Sequence, residues 1–309
     1  SGEMICAIGV SGQQHGMVPL DARGEVIRPA KLWCDTETSH QCDQITARIG
    51  SPQKVIELIG NSVAAGFTAS KLLWLKQHEP QNYERLATVL LPHDYINYWL
   101  TGEKKTEFGD ASGTAYFDVK TRTWSEALLN AVDDSGKLLN CVPDLISPDA
   151  PIGTIRTEIA AQFQLKSDIL VSSGGGDNMM AAIGTGNVIP GIVTTSLGTS
   201  GTIYSFSDQP IVDPNGELAA FCSSSGGWLP LVCTMNVTVS TELTRELLGQ
   251  SLAELNQLAS TARPGSDGIL VLPYFNGERT PALPNANAVI FGLTSTNYTP
   301  EIGRASCRE

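Results

Sequence analysis

Two neighbouring strand-to-loop transitions near the middle of the sequence constrain its fold more than any other feature. The apolar run Asp168–Val171 leads into two serines and the glycines Gly174–Gly176, and a helix-compatible segment opens at Asp177. A second β-branched run, Ile192–Thr195, leads directly into the turn Ser196–Gly201. Both transitions present small residues and backbone N–H groups that can face an anion. Phosphoryl transfer needs such positioning together with one proton acceptor, so the pattern favours that chemistry.

Each transition also has a plainer interpretation. Gly174–Gly176 would let a substrate approach and would allow a tight turn, and Asp177 could then accept a proton from an attacking hydroxyl. Aspartate also commonly caps helices, and the local pattern fits that role at least as well. The segment around Ser196–Gly201 fits a hairpin turn as readily as a phosphate loop. Neither transition has the spacing of a Walker loop or of a dinucleotide-binding fingerprint.

Composition limits the partners of the chain. Its 309 residues predict two domains, and 20 basic against 32 acidic residues give a net charge of −12. That charge disfavours nucleic acid or an anionic membrane as the main partner. No apolar run approaches the length of a membrane span and no signal-peptide pattern opens the sequence, so we expect a cytoplasmic protein. Seven cysteines without paired spacing predict buried, reduced thiols and no zinc site: Cys6, Cys34, Cys42, Cys141, Cys222, Cys233 and Cys307.

Helices and strands alternate along the chain, which predicts an α/β protein with mixed sheets. We expect a buried strand at Met4–Val10, and two strands at Gly16–Leu20 and Val26–Trp33 joined by a turn. A capping serine, an early proline and a closing Gly60 mark the helix Ser51–Ile59.

Polar residues follow the first predicted strand. Gln13, Gln14 and His15 lie among small residues in the segment Ser11–Met17. Amides and a neutral imidazole both donate and accept hydrogen bonds, so these side chains suit sugar hydroxyls. An ordinary polar turn is the simpler explanation.

Three further residues carry open alternatives. Trp33 and Asp35 could stack on a sugar ring and bind one of its hydroxyls. They could equally be a half-buried tryptophan and a helix-capping aspartate. Lys71, in the amphipathic segment Ala69–His78, could be no more than a solvated end of that helix.

Five segments in order resemble the FGGY family of carbohydrate kinases, which includes glycerol, glucono-, ribulo- and xylulokinases. GFTASKLLWLKQH (Gly66–His78) is similar to the first family signature, and SGQQHGM to the xylulokinase form of the substrate loop. GGGDN is similar to the catalytic turn, TTSLGTSG to the phosphate loop, and LPYFNGERTP (Leu272–Pro281) to a further family segment. The resemblance covers nearly the whole chain.

The resemblance implies an actin-like ATPase fold of two ribonuclease-H-like domains, with sugar and ATP meeting in the cleft between them. Residues 1–189 would form the sugar-binding N-terminal kinase domain without its first strands. Residues 190–309 would begin the ATP-binding C-terminal kinase domain. The VIPG segment predicts the boundary near Ile189–Gly191.

The resemblance also implies roles for single residues. Asp177 would act as the general base, while Gln14, His15 and Asn178 would hold the sugar. The reaction would use ATP and Mg²⁺ to convert D-xylulose to D-xylulose 5-phosphate, and no metal ligand is assigned in the chain. The residues carried over to the ATP phosphates are Gly198, Thr199, Ser200 and Gly201.

Two alternatives stand beside xylulose phosphorylation. A sibling kinase for ribulose, gluconate or glycerol would use the same phosphate machinery and would differ in the GQQHG loop. A non-catalytic sugar-binding relative is less favoured, because such a protein has no need of Asp177 as a base. A homodimer is one outcome that the sequence leaves open.

Departures from the family pattern lead us to expect a fragment. The family's first phosphate loop, with the Asp that lies near the metal, and its late adenosine-binding loop have no counterpart in the sequence, so we expect the chain alone to be inactive. The family's second signature would begin near Ala288 but fails at its end, where Cys307 and Arg308 replace apolar positions. These two residues belong to the tail 301–309, whose back-translation matches a common sequencing-adapter string. We therefore interpret this tail as non-native. Glu37 stands where many relatives carry Arg, which weakens a sugar-binding role for the neighbouring Trp33 and Asp35.

Overall fold

The computed structural model describes residues 4–35, 37–281, 283 and 285–297, so the tail 301–309 and Cys307 lie outside it. The helices are α1 Ser39–Ile49, α2 Pro52–Ile59, α3 Thr68–His78, α4 Pro80–Arg85, α5 Pro92–Thr101, α6 Phe108–Ala111, α7 Glu126–Val132, α8 Thr157–Gln162, α9 Asp177–Gly184, α10 Thr238–Leu247 and α11 Leu252–Thr261. The strands are β1 Ala7–Ile8, β2 Ser11–Gly12, β3 Val18–Leu20, β4 Thr88–Leu90, β5 Lys105–Glu107, β6 Phe117–Asp118, β7 Thr123–Trp124, β8 Asp144–Ile146, β9 Pro151–Thr154, β10 Leu170–Ser172, β11 Gly175–Gly176, β12 Val193–Leu197, β13 Gly201–Ser205, β14 Leu231–Thr234, β15 Leu270–Leu272 and β16 Val289–Phe291. No helix within these ranges is long and apolar enough to span a membrane.

The chain forms two compact units, and each unit is built from two separate stretches of the sequence. Within the described residues, the first unit runs through Thr194 and includes Ser205–Pro230. The second unit consists of Thr195–Tyr204 and the residues from Leu231 onward. The compact units therefore do not correspond to a single cut in the sequence, and the assignment of residues 1–189 and 190–309 to two kinase domains stays a prediction.

The first unit holds the mixed sheets that the alternation of elements predicts. In the sheet β1-β10-β9, β10 pairs parallel with β1 and antiparallel with β9. Its apolar side chains join those of α5 and α8 in a core cluster. The members of that cluster are Leu100, Ile155, Ile159, Ala160, Ile169 and Val171. Strands β2 and β11, which follow β1 and β10 in the sequence, form a separate parallel pair.

Most residues of the sheet β12-β13-β14, and the antiparallel pair β15–β16, belong to the second unit. Strand β13 pairs antiparallel with β14, and its partners run from Gly201 opposite Thr234 to Tyr204 opposite Leu231. Helices α10 and α11 follow β14 in the chain.

Local signals predicted α2 well and failed for the segment Val26–Trp33. Ser51 caps α2 by accepting a hydrogen bond from the Lys54 backbone N–H at 3.2 Å, and Gly60 closes the helix with a φ of 81°. Residues 26–33 make only isolated bridges at Val26 and Lys31 rather than a strand. Pro29 lies between these two bridges, and proline has no N–H to donate to a ladder.

Three expectations about burial are corrected by the structure. Only Ala7–Ile8 of the expected buried strand Met4–Val10 is a strand, and neither of these residues is buried. Lys71 on α3 is fully buried, so it is not a solvated helix end. The six described cysteines are all free, and Cys42, Cys141 and Cys222 are buried as expected. Cys6 and Cys34, in contrast, are exposed, because each lies in a segment outside the helices and core strands.

Candidate active site

The parallel pair β2–β11 brings the two polar segments of the first unit together. Ser11 lies opposite Gly175, and Gly12 lies opposite Gly176. Parallel strands end at the same edge, so the residues that follow them meet there. Gln14 and His15 follow β2, while Asp177 and Asn178 open α9 directly after β11.

Three of the four residues assigned to sugar binding and catalysis contact one another. Asn178 Nδ2 donates a hydrogen bond to Gln14 Oε1 at 2.9 Å and another to Asp177 Oδ1 at 3.3 Å. Gln14 is buried, and its Nε2 lies 3.2 Å from the sulfur of Met179. The Asn178 amide therefore links the carboxylate of α9 to the loop after β2.

Asp177 is the first residue of α9, and it is not the cap of that helix. Gly176 occupies the N-cap position and makes no side-chain capping bond. Asp177 Oδ1 instead accepts a hydrogen bond from the adjacent Asn178 N–H at 2.9 Å. Part of the residue is exposed to solvent, which leaves the carboxylate accessible to a reacting group. The surrounding protein still desolvates this carboxylate, and together with the charge of Asp110 it raises the pKa of Asp177.

The three glycines before Asp177 are explained by protein atoms around them. A Cβ at Gly174, whose φ is +65°, would lie 2.3 Å from the carbonyl oxygen of Val10. A Cβ at Gly175 would lie 2.8 Å from Ser224 Oγ, and one at Gly176 would lie 2.5 Å from Gln14 Cγ. These glycines thus let the turn pack closely against Val10, Ser224 and Gln14. That packing sets the position of Asp177.

A buried charge cluster that the sequence analysis missed lies next to this turn. His93 Nδ1 lies 2.6 Å from Asp110 Oδ2, and His93 Nε2 lies 3.0 Å from Asp94 Oδ1. Glu107 accepts hydrogen bonds from the Gly109 and Asp110 N–H groups, both at 2.6 Å. Burial alone would lower the pKa of His93, but Asp94 and Asp110 outweigh it and raise that pKa to about 10. Both ring nitrogens of His93 therefore face carboxyl groups, which favour the protonated form of the imidazole.

The sequence does carry one signal of this cluster. His93, Asn97 and Leu100 have the spacing of one helical face, and all three are buried in α5. A histidine and an amide on the buried face of a helix indicate a polar partner on a neighbouring element, because buried polar groups are almost always paired. Nothing in the local pattern identifies that partner as Asp110.

His15 is held in a left-handed conformation, with a φ of 63°, and its ring is buried. The centroid of the ring lies 4.5 Å from that of Phe67 and 5.8 Å from that of Phe221. A Cβ at Gly113 would lie 1.9 Å from His15 Nδ1, so the glycine makes room for the imidazole. The two phenylalanine rings and the space beside Gly113 therefore fix the position of the imidazole within the first unit.

The alternative sugar site at Trp33 and Asp35 is occupied by an ion pair. Lys31 Nζ lies 2.8 Å from Asp35 Oδ2, contacts Glu37, and stands 3.8 Å above the ring of Trp74. Asp35 does not cap α1, since Thr38 holds that position. Trp33 is 41% exposed.

The residues assigned to ATP phosphates lie in the second unit. Gly198, Thr199 and Ser200 connect β12 to its neighbour β13, and Gly201 begins β13. The segment is therefore a strand-to-strand turn, as one of its two interpretations expected. The carbonyls of Gly198 and Thr199 accept hydrogen bonds from residues at the start of α10, at 3.0 and 3.1 Å. This contact fixes the turn, and its role in phosphate binding stays a prediction.

Across the described ranges, no group of three or more His, Cys, Asp or Glu side chains is arranged to hold a metal ion.

Comparisons with known proteins point to one family. Residues 1–184 match the sequence model of the N-terminal domain of the FGGY family of carbohydrate kinases. The chain is 48% identical over 301 residues to a xylulose kinase of Haemophilus influenzae, covering 97% of this chain and 61% of that protein. The chain thus spans about three fifths of the length of this curated relative.

Solved structures give the same picture. The chain superposes on a ligand-bound xylulose kinase from Lactobacillus acidophilus with a TM-score of 0.91 at 27% identity, covering 99% of this chain and 62% of that one. It superposes on a gluconate kinase from the same organism with a TM-score of 0.90, also at 27% identity and with the same coverage of 99% and 62%. The fold is therefore shared by kinases of different sugar substrates.

Proposed function

The chain belongs to the FGGY family of carbohydrate kinases, and from this premise we propose that the protein carrying it phosphorylates D-xylulose with ATP. Its fold is the actin-like fold of that family, as the sequence predicted. The observation that carries the proposal is the contact of Gln14, Asp177 and Asn178 where β2 and β11 end. This contact supports a sugar site that contains a carboxylate able to accept a proton.

In the proposed reaction, Asp177 accepts the proton of the 5-hydroxyl of xylulose while that oxygen attacks the γ-phosphorus of ATP. A new P–O bond forms to the sugar, and the bond from the γ-phosphorus to the bridging oxygen breaks. ADP leaves with that electron pair, and the product is D-xylulose 5-phosphate. Magnesium bound to the ATP phosphates would neutralise their charge.

The remaining residues have supporting roles in this proposal. Gln14 and Asn178 hold the sugar hydroxyls through amides that donate and accept hydrogen bonds. His15 adds a third polar group, from the loop that also carries Gln14. Gly198, Thr199, Ser200 and Gly201 form the turn that would cradle the ATP phosphates. A homodimer and a cytoplasmic location stay predictions.

A sibling activity is the second candidate, because a gluconate kinase shares this fold with nearly the same TM-score as a xylulose kinase. ATP consumption by the full-length protein with xylulose, ribulose, gluconate and glycerol distinguishes the two. We expect the highest kcat/KM with D-xylulose. A higher value with gluconate or glycerol would reassign the substrate, and no consumption with any of the four would favour a non-catalytic relative.

Replacing His15 with alanine should weaken sugar binding more than ATP binding. Without the imidazole, the sugar hydroxyl that it binds in the proposed complex is left unpaired, which costs about 1–3 kcal/mol, or roughly 5- to 150-fold in Kd. Separate titrations of xylulose and ATP against the variant and the parent measure both effects. The exposed His40 provides a control, and His40→Ala should change neither Kd. Equal losses for the two ligands with His15→Ala would remove His15 from the sugar site.

Replacing Asp110 with asparagine should shift the pH dependence of the reaction. The Asp110 charge raises the pKa of Asp177, so its removal lowers that pKa and keeps Asp177 ionised to a lower pH. The acidic limb of the kcat/KM profile should therefore move to lower pH. Asp168→Asn removes the same charge from an exposed position of the first unit and should leave the limb unmoved. If Asp110→Asn leaves the acidic limb in place or moves it to higher pH, the charge of Asp110 does not raise the pKa of Asp177.

A further inference from the structure

Lys71 belongs to the segment that resembles the first family signature, and the proposed reaction gives it no role. It lies on α3 and is fully buried. Its Nζ donates hydrogen bonds to the carbonyl oxygens of His15, at 2.8 Å, and of Gly66, at 2.6 Å. Burying an ammonium group costs free energy unless it is well paired, so we expect Lys71 to have a role other than packing.

The two carbonyls that Lys71 binds belong to His15 and to Gly66, and the ring of His15 contacts the ring of the residue after Gly66. Gly66 immediately precedes Phe67, the N-cap residue of α3, and the ring of Phe67 packs on the ring of His15. One ammonium therefore ties the backbone of His15 to the backbone beside Phe67. Thr68 Oγ1 donates a second hydrogen bond to the same His15 oxygen, at 3.3 Å.

The backbone of His15 needs such a restraint. Its φ of 63° is in the left-handed region, which is unfavourable for a residue with a Cβ. Rotation of His15 into an ordinary conformation would swing its carbonyl oxygen away from Lys71 and Thr68. Charge-assisted hydrogen bonds are roughly twice as strong as neutral ones, so Lys71 is the stronger of the two restraints.

We propose that Lys71 is a positioning residue for sugar binding, because its ammonium holds His15 in the left-handed conformation that directs the imidazole to the sugar. The inference rests on the proposed function, which places His15 at the sugar. It assigns to Lys71 a role that acts entirely through His15. A lysine that only stabilised α3 would affect sugar binding whether or not the imidazole were present.

A double-mutant cycle in the full-length protein separates these roles. Lys71→Met should raise the KM for xylulose by about tenfold and leave the KM for ATP within about twofold. In a His15→Ala background the same substitution should change the xylulose KM little, because no imidazole remains to be positioned. Lys76→Met is the matched control: it lies on the same helix and loses an ion pair to Asp133, so it should lower Tm without changing the xylulose KM.

The outcomes distinguish failure of the inference from failure of the proposed site. If His15→Ala itself leaves the xylulose KM unchanged, the proposed sugar site is wrong. If His15→Ala raises that KM but the effect of Lys71→Met is absent or simply multiplies with it, the role of Lys71 is wrong. Should Lys71→Met fail to fold, Thr68→Val removes the weaker donor to the same oxygen. It should then raise the xylulose KM about two- to threefold in the parent and not in the His15→Ala background.

Discussion

Replacing Asp177 with asparagine should lower kcat by roughly 10²–10⁴-fold in the full-length protein, the usual loss for a positioned acid–base group. The amide has nearly the same shape as the carboxylate, and its oxygen can still accept the hydrogen bond from the Asn178 N–H. It cannot accept a proton at neutral pH. Stability and the Kd for xylulose should therefore change little, which separates the chemical step from binding.

Steady-state kinetics, a xylulose titration and a thermal melt test this prediction together. Asp168→Asn serves as the control because it removes the same charge from an exposed position of the first unit. A near-parental kcat for Asp177→Asn would show that Asp177 is not the base. A large fall in Tm, rather than in kcat, would show that the carboxylate is needed for the turn and not for the chemistry.

Features that depend on a few neighbouring residues could be predicted from the sequence. The helix α2 is one example, since its capping serine and its left-handed glycine act within one turn of the chain. The position of Asp177 at the start of α9 is another, because a glycine run followed by an aspartate already indicates a strand-to-helix turn. The family resemblance then supplied the actin-like fold, which the local patterns alone left open.

Features that depend on distant partners could not be predicted in the same way. Lys71 looks like the polar edge of an amphipathic helix until the carbonyl of His15, far away in the sequence, is brought against it. His93 and Asp110 likewise come from different elements and become an ion pair only through packing. In the segment Val26–Trp33, β-branched residues suggested a strand, and the proline among them decided against it.

The glycines before Asp177 illustrate the limit most clearly. Their presence predicted a tight turn, which the structure has. The glycines also suggested space for an approaching substrate, whereas protein atoms lie against the positions that their side chains would fill. A glycine run alone cannot distinguish a ligand from a neighbouring backbone, because both require the same missing Cβ.

Gly174→Ala should strongly destabilise the protein, and it should also disable the site. The methyl group would lie 2.3 Å from the Val10 carbonyl oxygen at a residue whose φ is +65°. Left-handed strain and overpacking together should cost about 2–5 kcal/mol of unfolding free energy. The turn carries Asp177, so a displacement of about 1 Å there should also lower kcat by roughly 100-fold.

Gly186→Ala separates the two causes of that loss. Gly186 has a similar φ, +74°, and lies in the same unit just after α9, but a Cβ there would have no atom within 4 Å. It should therefore cost only the left-handed strain, about 1–2 kcal/mol, and leave kcat unchanged. Urea denaturation and kcat measurements on both variants make the comparison. Equal losses of stability would mean that Val10 moves aside at little cost. A parental kcat for Gly174→Ala would mean that the close approach of the turn to Val10 does not position Asp177.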